Sequence, residues 1–215
     1  MNYLFHNYNN ENICFLIPYN KYNRNLETIN WGKKVWDKFK ISVNYFHFDS
    51  IGQGGALNKA VQETINLIIP PSYYIFMEND SIFLKREALD ITYDFIKNKN
   101  TIFGIAWGNP AHIHVGPAFC AFSTRLYLKL DKPNLNANDR LDTCAELSYK
   151  TKEMGYIIGL IYPTHVTKPF YSLDANCKFG MGNEYLDLIY HSSRQDDSDS
   201  SILFIEKCKK ILNEN

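Results

Sequence analysis

The sequence has no C-x-x-C pair, and its five cysteines are odd in number and widely scattered. Cysteines in this arrangement argue against both a disulfide framework and a zinc site. The sequence therefore predicts a protein of a reducing compartment. The cysteines are Cys14, Cys120, Cys144, Cys177 and Cys208.

An excess of charge and long apolar runs are also missing. The 23 basic residues balance the 23 acidic ones, which argues against a general nucleic-acid binder. The opening "MNYLFHNYNNEN" has no basic start followed by an apolar core, and no apolar run approaches the roughly 20 residues of a membrane span. We expect a soluble cytoplasmic protein with no nucleic-acid partner, and peripheral association with a membrane stays open.

What the first half does contain is an alternation of strand and helix patterns. Each strand pattern is a short apolar run that ends in polar residues, as expected for strands buried on both faces. Strand, helix, strand, helix, strand in this order predicts a mostly parallel sheet with helices on both faces. The segments are "NICFLIPYN" (12–20), "NRNLETINWGKKVWDKF" (23–39), "ISVNYFHFD" (41–49), "GGALNKAVQETINLII" (54–69) and "YYIFMEND" (73–80).

The second half is predicted to add three strands, one helix, a looser segment and a closing helix. Within the looser segment, "RQDDSDSS" has the composition of a solvated linker or mobile loop. A length of 215 residues fits one α/β domain. The segments are strands at 101–108, 113–123 and 155–163, a helix near 143–155, the looser segment 167–201 and the closing helix 202–215.

Three predicted strand ends carry polar side chains, and in open α/β sheets ligands bind beyond the carboxyl ends of the strands. Tyr19 and Asn20 follow the first strand, Asp49 ends the second, and Glu78 and Asp80 end the third. Two carboxylates flanking one residue can share a divalent cation, and hard oxygen ligands suit magnesium or manganese. The alternative is that this stretch is only a turn, since Asn, Asp and Ser favour turns.

The order of these segments resembles the nucleotide-binding half of glycosyltransferases with the GT-A fold, similar to family 2. That resemblance implies a nucleotide-sugar donor whose base and ribose lie against Pro18, Tyr19 and Asn20. It also implies that Asp49 meets a uracil ring, so a UDP-sugar is favoured. The implied halves are residues 1–105 for the nucleotide sugar and 106–215 for the acceptor.

The same resemblance assigns the acids after the third strand. Glu78-Asn79-Asp80 looks like a variant of the family's D-x-D motif, which binds Mn2+ or Mg2+ and the donor diphosphate. Its first acid is Glu rather than Asp, and the second acid usually makes the direct metal contact. A further departure is Leu57, which stands where the family often has Arg.

The resemblance also implies a catalytic base near the start of a helix. "NDRLDTCAELSYKTKEMGY" (138–156) is similar to that region but lacks the expected Glu-Asp pair. Asp139, Asp142 and Glu146 compete for the role, and we select Asp142 because it stands where a helix N-cap is expected. A carboxylate there could accept the proton of the acceptor hydroxyl, with inversion at the anomeric carbon; the alternative is that Asp142 only caps the helix.

A histidine late in the chain completes the metal site in several enzymes of this kind. His191 in "IYHSSR" is the candidate, with His165 as its rival, since a neutral imidazole can join oxygen ligands around a metal. Arg194 could meet the leaving diphosphate through its fork of donors. Trp107 is expected near the acceptor, because aromatic faces stack on sugar rings.

Together these residues predict a metal-dependent glycosyltransferase of the hexosyltransferase type, acting on a hydroxyl of a glycan, glycolipid or other acceptor. The absent Glu-Asp pair keeps a degenerate, non-catalytic nucleotide-sugar or carbohydrate-binding protein open. A sugar-nucleotide nucleotidyltransferase is disfavoured, because "IPYNKYNRN" (17–25) lacks the glycines of that class of phosphate loop.

Overall fold

A computed structural model describes residues 3–19, 23–47, 52–98, 100–109, 111–138, 141–173, 177–193 and 198–214. The strands are β1 (His6–Tyr8), β2 (Glu11–Tyr19), β3 (Asn44–His47), β4 (Tyr73–Met77), β5 (Ser81–Phe83), β6 (Thr101–Asn109), β7 (His112–Ser123), β8 (Ile157–Ile161), β9 (His165–Ser172), β10 (Lys178–Tyr185) and β11 (Ile189–Ser192). The helices are α1 (Asn23–Phe39), α2 (Gly52–Ile65), α3 (Glu87–Ile96), α4 (Thr124–Lys129), α5 (Ala145–Glu153) and α6 (Ser198–Asn213).

The large sheet has seven strands in the order β1-β2-β4-β7-β6-β8, with β3 pairing with β2 beside β1. The pairs β2–β3, β2–β4 and β6–β8 are parallel, whereas β1 and β7 run against their neighbours. Most strands therefore share one direction. The predicted α/β class, a mostly parallel central sheet flanked by helices, is confirmed.

Strand β2 shows why the apolar runs are continuous. Ile13, Phe15 and Ile17 pack into a core cluster on one face of the sheet, which includes residues of α1, α3 and α6. Cys14 and Leu16 pack into a second cluster on the other face, with residues of α2, α4 and α5. Because neighbouring side chains of a strand point to opposite faces, a strand covered on both sides needs an apolar residue at every position.

Helix α2 differs from its predicted bounds at both ends. It begins at Gly52, which has a positive φ of 68°, and it ends at Ile65 rather than continuing to Ile69. Pro70 disfavours the helical conformation of the residue before it, and Leu67 closes a turn by donating its amide hydrogen to Thr64 O at 3.3 Å. Residues 66–72 therefore form a loop that leads into β4.

The segment predicted to be loose contains most of a second sheet. Four antiparallel strands lie in the order β5-β11-β10-β9. The prediction missed them because polar residues and glycines interrupt the apolar pattern. Glycine is required at Gly180, where an added Cβ would lie 2.2 Å from Thr167 O. The "RQDDSDSS" prediction is wrong from Ser198 onward, where α6 begins, and its first part (194–197) lies outside the described residues.

Candidate metal centre

The acids predicted as metal ligands lie where β4 leaves the core. All five residues of β4 are buried, and a turn follows in which Ser81 N donates to Glu78 O at 3.0 Å. The tripeptide is therefore a turn, as its composition predicted, but its side chains are not solvated like those of an ordinary surface turn. Asn79 and Asp80 are buried and Glu78 is half-buried.

The small sheet brings His191 to these acids. Strand β11 pairs with β5 so that His191 lies opposite Ser81, and Ser192 N donates to Asp80 O at 3.0 Å. This register sets His191 Nε2 at 3.1 Å from Glu78 Oε2 and 3.9 Å from Asp80 Oδ1. One ligand atom from each of the three side chains lies within 4.8 Å of the others. The rival His165, on β9, is exposed and lies opposite Glu184 of β10, outside this cluster.

The electrostatics of the cluster are those of a partly buried ion pair. Burial by itself would raise the pKa of Glu78, but the hydrogen bond and charge of His191, with a hydrogen bond from Gln53, lower that pKa below its usual value. Burial would lower the pKa of His191, but Glu78 and Asp80 raise it. A proton on the imidazole thus balances charge that a cation could balance instead.

The donor set fits a divalent cation. Carboxylate oxygens and one imidazole nitrogen are ligands that metals such as Mn2+ accept. His191 Nε2 faces the acids, while its Nδ1 is buried and has no hydrogen-bond partner among the described residues. The imidazole is thus held by its interaction with the acids and by its backbone.

The start of α2 adds Gln53, which sequence reasoning did not select. Its side chain hydrogen-bonds to Glu78. The available signal was its place in the first turn of a helix that opens at the carboxyl edge of the sheet. Next to it, an added Cβ on Gly54 would lie 2.5 Å from Leu135 O and from Asn136 Cα, so α2 and the segment before α5 lie in close contact.

Asp142 belongs to that segment and is exposed. Trp107 Nε1 donates to its Oδ2 at 2.8 Å, and Thr143 N donates to its Oδ1 at 2.7 Å. The predicted N-cap position is wrong: the cap is Cys144, in the left-handed conformation, and no side chain caps the helix. The helix starts later than predicted because Cys144 has a φ of 67°, which breaks the helical path before Ala145.

The remaining predicted residues are placed as follows. Pro18 is buried and Tyr19 half-buried at the carboxyl end of β2, and the Tyr19 ring lies 5.5 Å from the ring of His47 at the end of β3. Glu146 is engaged by Lys150, whose Nζ lies 3.3 Å from Glu146 Oε1. Four predicted residues lie outside the described part of the chain: Asn20, Asp49, Asp139 and Arg194.

Cys144, two residues after Asp142, carries a buried thiol. The hydrogen bond to Cys120 and burial raise the pKa of Cys144, and the charges of Asp142 and Glu78 add to the effect. Trp107, which donates to Asp142, lies near the carboxyl end of β6, and β6 runs in the same direction as β4. The metal cluster and Asp142 therefore border the same carboxyl edge of the large sheet.

No protein family model matches the sequence, and no curated protein is significantly similar to it. Solved structures do match in shape. One is a mannosyltransferase from Pyrobaculum calidifontis in complex with GDP-Man and Mn2+, with a TM-score of 0.46 and 12% identity, covering 68% of this chain and 54% of that one. Another is the catalytic domain of Drosophila β1,4-galactosyltransferase 7 with xylobiose, with a TM-score of 0.48 and 11% identity, covering 69% and 63%.

The chain spans 54% and 63% of the lengths of those two proteins. Both are glycosyltransferases. At these levels of similarity neither of them bears on the function of this chain.

Proposed function

We propose that this protein is a metal-dependent glycosyltransferase that moves a sugar from a nucleotide sugar to a hydroxyl of a glycan, glycolipid or other acceptor. The observation that carries the proposal is the cluster of Glu78, Asp80 and His191, whose ligand atoms lie within 4.8 Å of one another at the carboxyl edge of the sheet. A purely structural turn has no need of a buried acid, a half-buried acid and a buried imidazole held together, since burying charge is costly.

The three side chains would hold Mn2+ or Mg2+, and the presence of an imidazole favours Mn2+, because Mg2+ prefers oxygen ligands and retained waters. When bound, the cation supplies positive charge that stabilises a departing diphosphate. The chain contributes Asn79 to the same motif, and His191 comes from a separate sheet, so the donor set is complete only in the folded protein.

We propose a UDP-sugar as the donor, with its base and ribose against Pro18, Tyr19 and Asn20. Asp49 would meet the uracil ring, and Arg194 the diphosphate. Support comes from Tyr19, which is half-buried next to His47 at the ends of two neighbouring parallel strands. A flat base could stack at this edge, because aromatic rings favour such contacts.

For the acceptor, we assign the base to Asp142. Its carboxylate is exposed, does not cap α5, and is oriented by Trp107 and Thr143. Taking the proton of the acceptor hydroxyl as that oxygen attacks the anomeric carbon leads to inversion. Glu146 fits the role less well, because Lys150 engages it.

A second function, binding of a nucleotide sugar without catalysis, is favoured by the missing Glu-Asp pair before α5. The two functions share the metal centre and differ only in turnover. The working compartment under both is the cytoplasm, as the cysteine pattern predicts. Within the described residues, no helix is both long and apolar enough to cross a membrane.

The test is thermal unfolding with a panel of nucleoside diphosphates and nucleotide sugars, with and without Mn2+. A ligand that binds only the native state stabilises it, by about 2.7 kcal/mol at a hundredfold excess over Kd. We expect one nucleotide to raise the Tm only with Mn2+, and Asp80→Asn to remove the rise. Asp187→Asn, at an exposed turn between β10 and β11, is the matched control. No rise with any nucleotide would overturn the proposal.

Turnover separates the enzyme from the binding protein. We expect Asp142→Asn to lower sugar transfer, or hydrolysis of the donor, by about 10²–10⁴-fold, the usual share of a general base. The Mn2+-dependent rise in Tm should survive, because Asp142 lies outside the metal cluster. An unchanged rate in Asp142→Asn would exclude it as the base, and a wild type without turnover on any bound donor would favour the binding function.

A further inference from the structure

The edge of the large sheet at which its parallel strands begin carries an exposed apolar loop. Leu67, Ile68 and Ile69 follow one another between α2 and β4, and all three are exposed, Ile68 completely and Ile69 to 67%. Isolated apolar residues are normal on surfaces, but contiguous ones mark contact sites. The loop continues into Pro70 and Pro71, which restrict the backbone that presents these side chains.

The loop is fixed to the body of the protein. Ser72 N donates to Asn12 O at 2.8 Å, and Thr124 N donates to Ser72 O at 2.9 Å. Thr124 Oγ1 also donates to Pro71 O. The loop therefore lies directly beside the first residue of α4.

Helix α4, next to the loop, adds exposed basic side chains. Arg125, Leu128 and Lys129 are exposed, whereas Leu126 and Tyr127 are buried. Residues three and four apart lie on one helix face, so two cations flank an exposed leucine on the outer side of α4. We call Leu67, Ile68, Ile69, Arg125, Leu128 and Lys129 the strand-start surface.

Exposed apolar and charged side chains also lie next to the strand-start surface. Lys129 Nζ lies 4.6 Å from the centre of the Tyr156 ring, and Met154 and Ile157 on either side of Tyr156 are exposed. Lys132 and Lys152 are further exposed cations nearby in sequence, against the exposed carboxylates of Asp131 and Glu153. The charged residues within the strand-start surface itself, Arg125 and Lys129, are both basic. The two acids near the loop each accept a hydrogen bond, Glu63 from the Tyr3 hydroxyl and Glu11 from Ser72 Oγ.

We propose that the strand-start surface binds the surface of an anionic lipid bilayer. Aliphatic side chains that enter the boundary between headgroups and acyl chains, combined with cations beside them, supply the two contributions that peripheral binding needs. The candidate metal centre lies at the carboxyl edge of the sheet, opposite this surface. Membrane binding therefore leaves that centre uncovered. The proposed membrane binding does not depend on the proposed transferase activity.

The test is flotation of the full chain with vesicles of phosphatidylcholine alone or mixed with phosphatidylglycerol. We expect binding to the mixed vesicles only, weakening as salt is added because exposed charges are screened. Ile68→Ser with Ile69→Ser should weaken binding by about tenfold or more. Arg125→Gln with Lys129→Gln should weaken it by about thirtyfold, since each cation near an anionic surface contributes on the order of 1 kcal/mol.

Ile202→Ser is the matched control, because Ile202 is an exposed isoleucine on α6 and its loss should leave flotation unchanged. All of these residues are exposed, so the variants should fold, which circular dichroism checks. Absence of flotation with the mixed vesicles would overturn the proposal. So would a dimer in sedimentation that Ile68→Ser with Ile69→Ser converts to monomer, because a second copy would then cover the surface.

Discussion

The two sheets of this protein hold their strands by different means. The large sheet relies on apolar packing: every residue of β4 is buried, and Phe76 lies 5.2 Å, ring to ring, from Phe122. The small sheet combines apolar packing with buried polar side chains, since its Phe83, Phe179 and Tyr185 belong to the same core cluster as the β2 side chains. Asn183 accepts a hydrogen bond from Gly180 N at 2.7 Å and donates to Gly180 O at 2.8 Å, and Ser192 Oγ donates to Ser200 O at 2.7 Å.

The candidate metal centre draws on both kinds of support. Its acids follow β4, whose packing positions them, whereas His191 lies on β11 beside Asn183, which donates to His191 O at 3.4 Å. A buried apolar strand of the large sheet and a strand of the small sheet that carries buried polar side chains thus meet at the candidate metal centre. Two kinds of substitution should therefore disturb the centre separately. Loss of packing around β4 should displace the acids, and loss of hydrogen bonds around β11 should displace His191.

The largest expected effect tests the packing of the large sheet. Phe76→Ala should lower the free energy of unfolding by about 3–5 kcal/mol, because it removes a fully buried ring and leaves a cavity. Denaturant unfolding measures the loss. Phe170→Ala in the small sheet is the matched control, since Phe170 is 40% exposed, and it should cost less than about 1 kcal/mol. Equal losses in the two variants would show that burial of the ring does not decide the loss.

The next effect tests His191, the residue of the small sheet that contacts the acids after β4. His191→Ala should lower the free energy of unfolding by roughly 2–3 kcal/mol, because it removes one partner of a buried pair and leaves Glu78 and Asp80 uncompensated. It should also reduce the Mn2+-dependent rise in Tm. His165→Ala, an exposed histidine of the same sheet, should leave both quantities unchanged. An unchanged Mn2+-dependent rise in Tm in His191→Ala would show that His191 is not a ligand of the cation.

The smallest effect tests the polar support of the small sheet. Asn183→Ala should lower the free energy of unfolding by about 1–2 kcal/mol, because the amide and carbonyl of Gly180 lose their partner. The Mn2+ response should weaken without vanishing, since the three ligands are all retained. Asn66→Ala serves as control, because the exposed Asn66 amide donates to Gln62 O, and it should change neither measurement. A larger loss of Mn2+ response in Asn183→Ala than in His191→Ala would show that β11 positions more than His191.

Much of the large sheet could be predicted from local pattern. Helix α1 spans the predicted residues 23–39, since its buried side chains recur at helical spacing. The end of β4 was equally clear, because an apolar run stops abruptly at Glu78. The small sheet escaped prediction, because glycines and buried polar residues such as Asn183 interrupt the apolar pattern of its strands.

The candidate metal centre likewise has one part that could be predicted from the sequence and one part that could not. Glu78 and Asp80 are neighbours in the chain, so their proximity follows from the sequence. The choice of His191 over His165 does not, because it depends on the register of β11 against β5. The cap assigned to Asp142 was wrong because a left-handed Cys144 delays the start of α5, and that conformation leaves no pattern in the sequence.

By itself, the sequence determined the strand and helix alternation, the acidic end of β4 and the candidate chemistry of a divalent cation. These depend on side chains that are close in the chain, where periodicity and composition act. Only the tertiary structure decided which histidine joins the acids, which residue caps α5 and where an apolar loop stays exposed beside α4. These depend on contacts between distant segments, which form only when burial of both faces of the large sheet brings those segments together.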